Sequence, residues 1–193
     1  MKKAKHRHLL VVILLVAAIL AGMALLVTNS YRHYRRTAYP LRYADLIEQY
    51  SDAYGITPSL VCAVICVESH FQPDAASHAD AVGLMQLTAD TFHWAQTRAG
   101  VKDIQGAEAL TDPETNIRFG VYTLKLLYEQ FDDTETVLAA YNAGQGNVHR
   151  WLADTQYSAD GVHLEHIPYA ETENYVKRVK KAQAIYRELY SLH

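Results

Sequence analysis

Glu68 closes an apolar stretch, Leu60-Val61-Cys62-Ala63-Val64-Ile65-Cys66-Val67, that contains no other carboxylate and no basic side chain to pair with it. A carboxyl group held at the edge of an apolar helix loses hydration, so its charged form is disfavoured and its pKa rises. A glutamate still protonated near neutral pH can give a proton to a leaving oxygen, which is general acid catalysis. The competing expectation is a helix-end glutamate that simply reaches water. A polar loop then leads to Gly83-Leu84-Met85-Gln86, where a glycine permits close backbone approach.

The other reactive side chains point to less. Cys62 and Cys66 are four apart on one expected helix, where their Cβ vectors converge poorly for a disulfide. With no second pair they make a poor metal site, and they are expected to be small buried side chains. His163-Leu164-Glu165-His166 is the densest histidine cluster. Its spacing is not that of the His-Glu-x-x-His zinc hydrolases, and no third ligand is evident. Neither a metal nor a cofactor is expected.

The elements that must position Glu68 read as helix after helix, with no convincing strand. Leu46, Ile47, Tyr50 and Tyr54 recur at helical steps, and Gly55 stops that helix. Thr57-Pro58 opens the helix that carries Glu68. Thr88 is expected to cap a helix through Arg98, with Gly100 beyond it. Asp112-Pro113 opens a long helix whose stripe is Ile117, Val121, Leu124, Leu127 and Tyr128. Thr134 is expected to cap a shorter helix to Ala143, broken by Gly144 and Gly146. The last helix runs from Glu171 to Leu189 with Tyr175, Val179, Ala182, Ile185 and Leu189 inward. Residues 153–169 read as an irregular insertion over one lip of a cleft. Helices of these lengths can bury a single core.

Charge is placed unevenly. Residues 1–36 hold seven Lys/Arg and no acid, whereas the remainder holds 11 Lys/Arg against 21 Asp/Glu. So acidic a domain is a poor binder of nucleic acid through phosphates. The basic end is explained by what it flanks: Leu9 to Val27 carries no charged or strongly polar side chain. As a helix that segment is about 28 Å long, close to the roughly 30 Å hydrocarbon core of a bilayer. A cleaved signal peptide is the competing reading, but no small-x-small cleavage site stands out after Val27. Leu20-Ala21-Gly22 is followed by Met23 rather than a cysteine that could take lipid. The organisation expected is a basic cytoplasmic flank at 1–8, a transmembrane anchor at 9–27, a linker at 28–40 and a mostly α-helical domain at 41–193. Basic residues lie on both sides of the anchor, so the positive-inside rule leaves orientation open.

Four segments, in this order, resemble the catalytic domain of the soluble lytic transglycosylases, glycoside hydrolase family 23, which includes the goose-type lysozymes. They are Glu68-Ser69, Gly83-Leu84-Met85-Gln86, Ala140-Tyr141-Asn142-Ala143-Gly144 and Glu171-Thr172-x-x-Tyr175-Val176. Pro58-Ser59-Leu60, Phe71-x-Pro73 and Asp112-Pro113-x-x-Asn116-Ile117 agree as well. The resemblance covers roughly Leu41 to Leu189.

It implies a lysozyme-like helical domain with a substrate cleft that cleaves the MurNAc–GlcNAc β-1,4 bond of peptidoglycan glycan strands. Glu68 falls on the catalytic glutamate, leaving a 1,6-anhydro end without the second carboxylate that most glycosidases need. Ser69 is implied to lie near the donor sugar or the acid, with Gln86 bonding substrate and Met85 lining the wall beside Gly83. Tyr141 and Asn142 are implied to face the groove. Tyr175 fits both the family's last motif and the core stripe. Such a substrate puts residues 28–193 outside the cytoplasm of a bacterial cell, on a single-pass membrane protein. If Asp74, Asp80 or Asp90 approached the cleft, it could activate water and make the domain a hydrolysing muramidase; otherwise each is an ordinary turn residue. A non-catalytic wall-binding module is the reading from a different class.

Overall fold

The computed structural model describes residues 2–101 and 106–192. The chain divides into two compact units, one ending at Ala38 and the other beginning at Tyr39.

The first unit is a single helix, α1, Lys2–Ala38. The expected anchor lies inside it, and Leu14–Ala38 is long and apolar enough to cross a membrane by length and composition. The linker expected from residue 28 is instead helical as far as Ala38. Its polar residues do not end the helix, because Thr28 and Thr37 turn their hydroxyls back onto Ala24 O at 3.0 Å and His33 O at 3.1 Å. Neither glycine nor proline intervenes before Pro40. The 37 residues make a rod of about 55 Å, well beyond a bilayer core of roughly 30 Å.

The second unit comprises α2 (Ala44–Tyr54), α3 (Pro58–Glu68), α4 (Ala89–Ala99), a 3-10 turn (Ala107–Thr111), α5 (Pro113–Tyr128), α6 (Thr134–Ala143), α7 (Gln145–Leu152) and α8 (Ala170–Tyr190). Among the described residues there is no strand, only single bridges joining Ala76 to Val82 and Val82 to Leu87. The expected starts and stops are mostly in place. Gly55 and Gly100 close α2 and α4 in the left-handed conformation, while Thr88 and Asp112 cap α4 and α5 through their side chains.

Two boundaries and one buried stripe differ from expectation. Asp133, not Thr134, caps α6, because its carboxylate accepts the amides of both Glu135 and Thr136 at 2.8 and 3.0 Å. Gly144 (φ 86°) breaks the chain as expected, but Gly146 sits inside α7, a helix held down by buried Val148 and Trp151. On α8 the buried stripe is Tyr175, Val176, Val179, Ala182 and Tyr186, with Ile185 and Leu189 half-buried to one side. The insertion at 153–169 is irregular, as its composition suggests.

Helix α3 is the centre of this unit. Every residue from Ser59 to Ile65 is buried, and its main partner is α8. The entry to the unit is tied to the same helix: Tyr186 and Tyr190 donate to the carbonyls of Pro40 and Tyr39, each at 2.8 Å. A smaller apolar cluster of Leu87, Phe92, Ala95, Leu110 and Phe119 forms between α4, α5 and the 3-10 turn.

The loop between α3 and α4 is pinned to α5 by one buried side chain. Asn116 donates from Nδ2 to Val82 O (2.9 Å) and Leu110 O (2.8 Å), and its Oδ1 accepts the Met85 amide at 2.7 Å. Asn116→Ala would leave the Leu110 carbonyl and the Met85 amide without that partner, at about 1–3 kcal/mol each, while Val82 O keeps the Leu87 amide at 3.1 Å. Urea unfolding of this variant is expected to show a loss of at least about 2 kcal/mol. A midpoint equal to that of the parent would mean that the loop is held by something else.

Candidate active site

Glu68 is the last residue of α3 and is half-buried. Burial raises its pKa from the ordinary 4.5 to about 7, against the lowering effects of the Tyr175 hydroxyl and, further out, the Arg178 guanidinium. The apolar run supplies no basic partner, but the fold brings Arg178 from α8. Desolvation still wins, because the cation acts at longer range and from an exposed position. The group is therefore part protonated near neutrality.

Two tyrosines complete the surroundings of the acid. Tyr175, on α8, is 1% exposed. Its hydroxyl faces Glu68 closely enough for each to alter the other's ionisation, yet no partner stands at full hydrogen-bonding geometry. Catalytic hydrogen bonds are often loose until substrate arrives. Tyr175 thus belongs to the buried stripe of α8 and also stands beside the Glu68 carboxyl. Tyr141 donates to Met85 O at 2.7 Å. Burial and then the Glu68 charge push its phenol well above 10. Its ring packs against both apolar clusters and so stands where they meet.

The remaining residues of the four motifs largely turn inward to hold backbone. Ser69, 8% exposed, shares its hydroxyl proton between Leu84 O at 2.7 Å and Ile65 O at 3.2 Å. That stitches the Gly83–Gln86 segment to the end of α3. Gln86 spends its amide on Ala75 O (3.0 Å) and Gly83 O (2.9 Å). Gly83 has φ 84°, and a Cβ there would collide with Asn116 and the Leu110 carbonyl, so its close approach is to the protein's own chain. Asn142 is exposed, and its Oδ1 accepts the Thr172 hydroxyl at 2.8 Å, tying the end of α6 to the first turn of α8.

Met85 corrects the expectation of a wall residue. Its side chain is fully buried, packed so tightly on Gly120 that no Cβ could fit there. It contributes to the site through its carbonyl, which holds Tyr141. The loop is also strained just beyond the acid: His70, Phe71 and Gln86 have φ of 52°, 62° and 49°. Left-handed conformations are costly for a bulky residue such as Phe71, and they cluster where surrounding structure over-determines them.

Asp74, Asp80 and Asp90 are all exposed. No second carboxylate is among the groups that set the Glu68 pKa. Cys62 is a buried free thiol, its pKa pushed up to about 12 by burial, whereas Cys66 is only half-buried and contacts Tyr186. His163 Nδ1 is paired with Asp160 at 2.7 Å on the insertion. Among the described residues no three His, Cys, Asp or Glu side chains stand together as a metal-ligand set. Asn116 and Arg178 were not anticipated as parts of the site. The signal for Asn116 was an amide beside Ile117 on the buried stripe of α5; nothing local signalled Arg178.

The sequence matches the model of the transglycosylase SLT domain over residues 45–163. It is 37% identical over 151 residues to the soluble lytic murein transglycosylase of Salmonella typhimurium, covering 77% of this chain and 23% of that one. It is 33% identical over 172 residues to membrane-bound lytic murein transglycosylase C of Klebsiella pneumoniae, covering 76% and 46% respectively. The crystal structure of the 70 kDa soluble lytic transglycosylase of Escherichia coli superposes with a TM-score of 0.69 at 33% identity, over 78% of this chain and 25% of that one. The chain belongs to the transglycosylase SLT domain family. It spans less than half the length of these curated relatives.

A raised folded-state pKa has a direct consequence for stability. Between 4.5 and about 7 the folded chain keeps a proton on Glu68 that the unfolded chain has lost. Stability from this group is complete below 4.5 and falls as pH rises to about 7, by up to about 3 kcal/mol. Glu68→Gln is therefore expected to outlast the parent in urea at about pH 8 and to match it near pH 4. A gap between the two that does not change with pH would show that the carboxyl is not desolvated.

Proposed function

We propose that this chain is a membrane-anchored lytic transglycosylase that cleaves the MurNAc–GlcNAc β-1,4 bond of peptidoglycan and leaves 1,6-anhydroMurNAc ends. The observation that carries the reading is Glu68 itself: a lone carboxyl, desolvated to a pKa of about 7, with buried Tyr175 and half-buried Tyr141 around it. Membership of the family and its relatives named as lytic murein transglycosylases support it.

Protonated Glu68 donates its proton to the glycosidic oxygen as the C1–O bond breaks, and the GlcNAc end departs as an alcohol. The MurNAc N-acetyl group assists at the anomeric carbon. The Glu68 carboxylate then removes the proton from the C6 hydroxyl of MurNAc, and that oxygen closes on C1. The acid is regenerated and no water is consumed. The absence of any carboxylate acting on Glu68 favours this route over hydrolysis, in which a second carboxylate serves as base or nucleophile. Tyr175 is the neighbour able to steady the carboxylate while it exists. In this reading the fold, with the acid on its helical scaffold, is the lysozyme-like arrangement of glycoside hydrolase family 23.

Helix α1 supplies the anchor in this reading. The substrate lies outside the cytoplasm, so residues beyond the membrane segment face that side. The membrane-bound relative from Klebsiella pneumoniae supports anchoring of the family's enzymes at a membrane.

Glu68→Gln is expected to bind glycan while losing at least about a thousandfold in turnover, since it removes the only proton carrier. The parent's muropeptides should carry a product one water lighter than a hydrolysed one by mass spectrometry. Products at the hydrolysed mass would convert the assignment to a muramidase, and normal turnover by Glu68→Gln would remove Glu68 from the chemistry. Loss of turnover in the parent with retained binding to sacculi would favour a wall-binding module. The kcat/KM of the parent is expected to fall tenfold per pH unit above about 7, as Glu68 loses its proton. A rate that stays level to pH 9 would mean that another group donates.

A further inference from the structure

Helix α1 does not end where its apolar run ends. Beyond Val27 it continues to Ala38, and this stretch carries Arg32, Arg35 and Arg36. At about 100° per residue, Asn29, Arg32, His33 and Arg36 share one side of the helix, within an arc of about 100°. All of them are exposed, and with Ser30 they bound a recess of about 450 Å³. We propose that this stripe binds the headgroup phosphate of an anionic phospholipid in the leaflet from which α1 emerges.

The stripe has the donors and the charge for a phosphodiester. Helix α1 contains no Asp or Glu, and the first carboxylate in the chain is Asp45. A neutralising anion for Arg32 therefore comes from outside the helix. A guanidinium meets phosphate oxygens with paired N–H donors, and an asparagine amide and a histidine ring add single donors beside it. Arginines on the outer side of an anchor run against the positive-inside rule, and an anionic headgroup supplies their counter-charge.

Depth selects a lipid over a soluble anion. At 1.5 Å per residue, Asn29 to Arg36 stand about 3 to 13 Å beyond Val27, against a headgroup layer of roughly 5–8 Å on each side of the hydrocarbon core. Side chains on a helix lean toward its N-terminus, which here is the membrane side. Arg32, His33 and Arg36 thus lean back toward the headgroups. Around the rod from the stripe, exposed Tyr31 and Tyr34 supply the amphipathic rings that sit at a membrane–water boundary. The Arg35 guanidinium lies 5.7 Å from the centre of the Tyr31 ring, on that other side. The recess equals about fifteen waters at roughly 30 Å³ each, room for a phosphodiester together with its glycerol.

The inference rests on the proposed anchoring through α1, and the test keeps the two apart. The background is full-length protein with Lys2, Lys3, Lys5 and Arg7 changed to Gln, because cations at that end would bind the same lipid. In maltoside micelles it is titrated with phosphatidylglycerol or phosphatidylcholine of equal chain length, and bound lipid is counted by native mass spectrometry. Phosphatidylglycerol is expected to bind at least about tenfold more tightly. Arg32→Gln should weaken it about fivefold, and Arg32→Gln with Arg36→Gln about thirtyfold, with phosphatidylcholine unchanged. These positions are exposed, and far-UV circular dichroism should show the helix intact in both variants.

Equal retention of the two lipids would overturn the assignment, as would a preference for phosphatidylglycerol that survives the double variant. So would displacement of the lipid by an equal concentration of the soluble headgroup glycerophosphoglycerol, which would make the stripe a site for dissolved anions. Release of the parent from membranes by an alkaline wash, with the lipid preference intact in micelles, would remove the anchoring reading alone.

Discussion

The desolvation of a single carboxyl is the constraint on which the rest of this molecule depends. Glu68 ends a helix whose residues from Ser59 to Ile65 are all buried, so its half-buried carboxyl stands at the edge of the core and is only partly hydrated. Such a group opposes folding above its ordinary pKa. Its position is therefore held by packing that has other reasons to exist, chiefly α3 against α8. The same helix, α8, brings both groups that moderate the effect. Tyr175 lies next to the carboxyl, and Arg178 follows one turn later with a charge that lowers the pKa without abolishing the rise. Had Arg178 stood in direct contact, the acid would be a permanent carboxylate with no proton to give.

The polar residues around the acid work mostly on the backbone of their own loop. A segment running from a helix end through left-handed residues to Gln86 offers many carbonyls and amides that no regular ladder can satisfy. Asn116, Ser69, Gln86 and Tyr141 each take some of these, at 2.7–3.2 Å. The loop is thus fixed by side chains, and it in turn fixes Tyr141 beside Glu68. A substitution in this group would act on the site through geometry even where it touches no sugar. Met85 shows the principle most directly, since its side chain is core and its carbonyl is part of the site.

Tyr141 also joins the two apolar clusters of the unit. A residue at such a seam borders space that neither cluster fills, and the recess beside Trp94 is that space. Gln145, the first residue of α7, lines one end of it.

Much of this was written locally in the chain. The helical periodicities, Pro58 and Pro113 at helix starts, the caps Thr88 and Asp112, and the stops at Gly55 and Gly100 depend only on neighbouring residues, and all appear where those residues sit. The apolar run before Glu68 likewise made its raised pKa predictable, since burial of α3 follows from its own side chains. Errors arose where local signals competed, as with Asp133 against Thr134, or where tertiary burial rescued a weak helix, as with α7. What no local pattern could decide was which side of each polar residue would be used. Whether Ser69 faces a sugar or Leu84, whether Met85 lines a wall or fills the space over Gly120, and which cation approaches Glu68 are set by contacts between residues far apart in sequence. Those contacts exist only once the helices have packed, because direction across a fold is a property of the assembled helices and not of the chain.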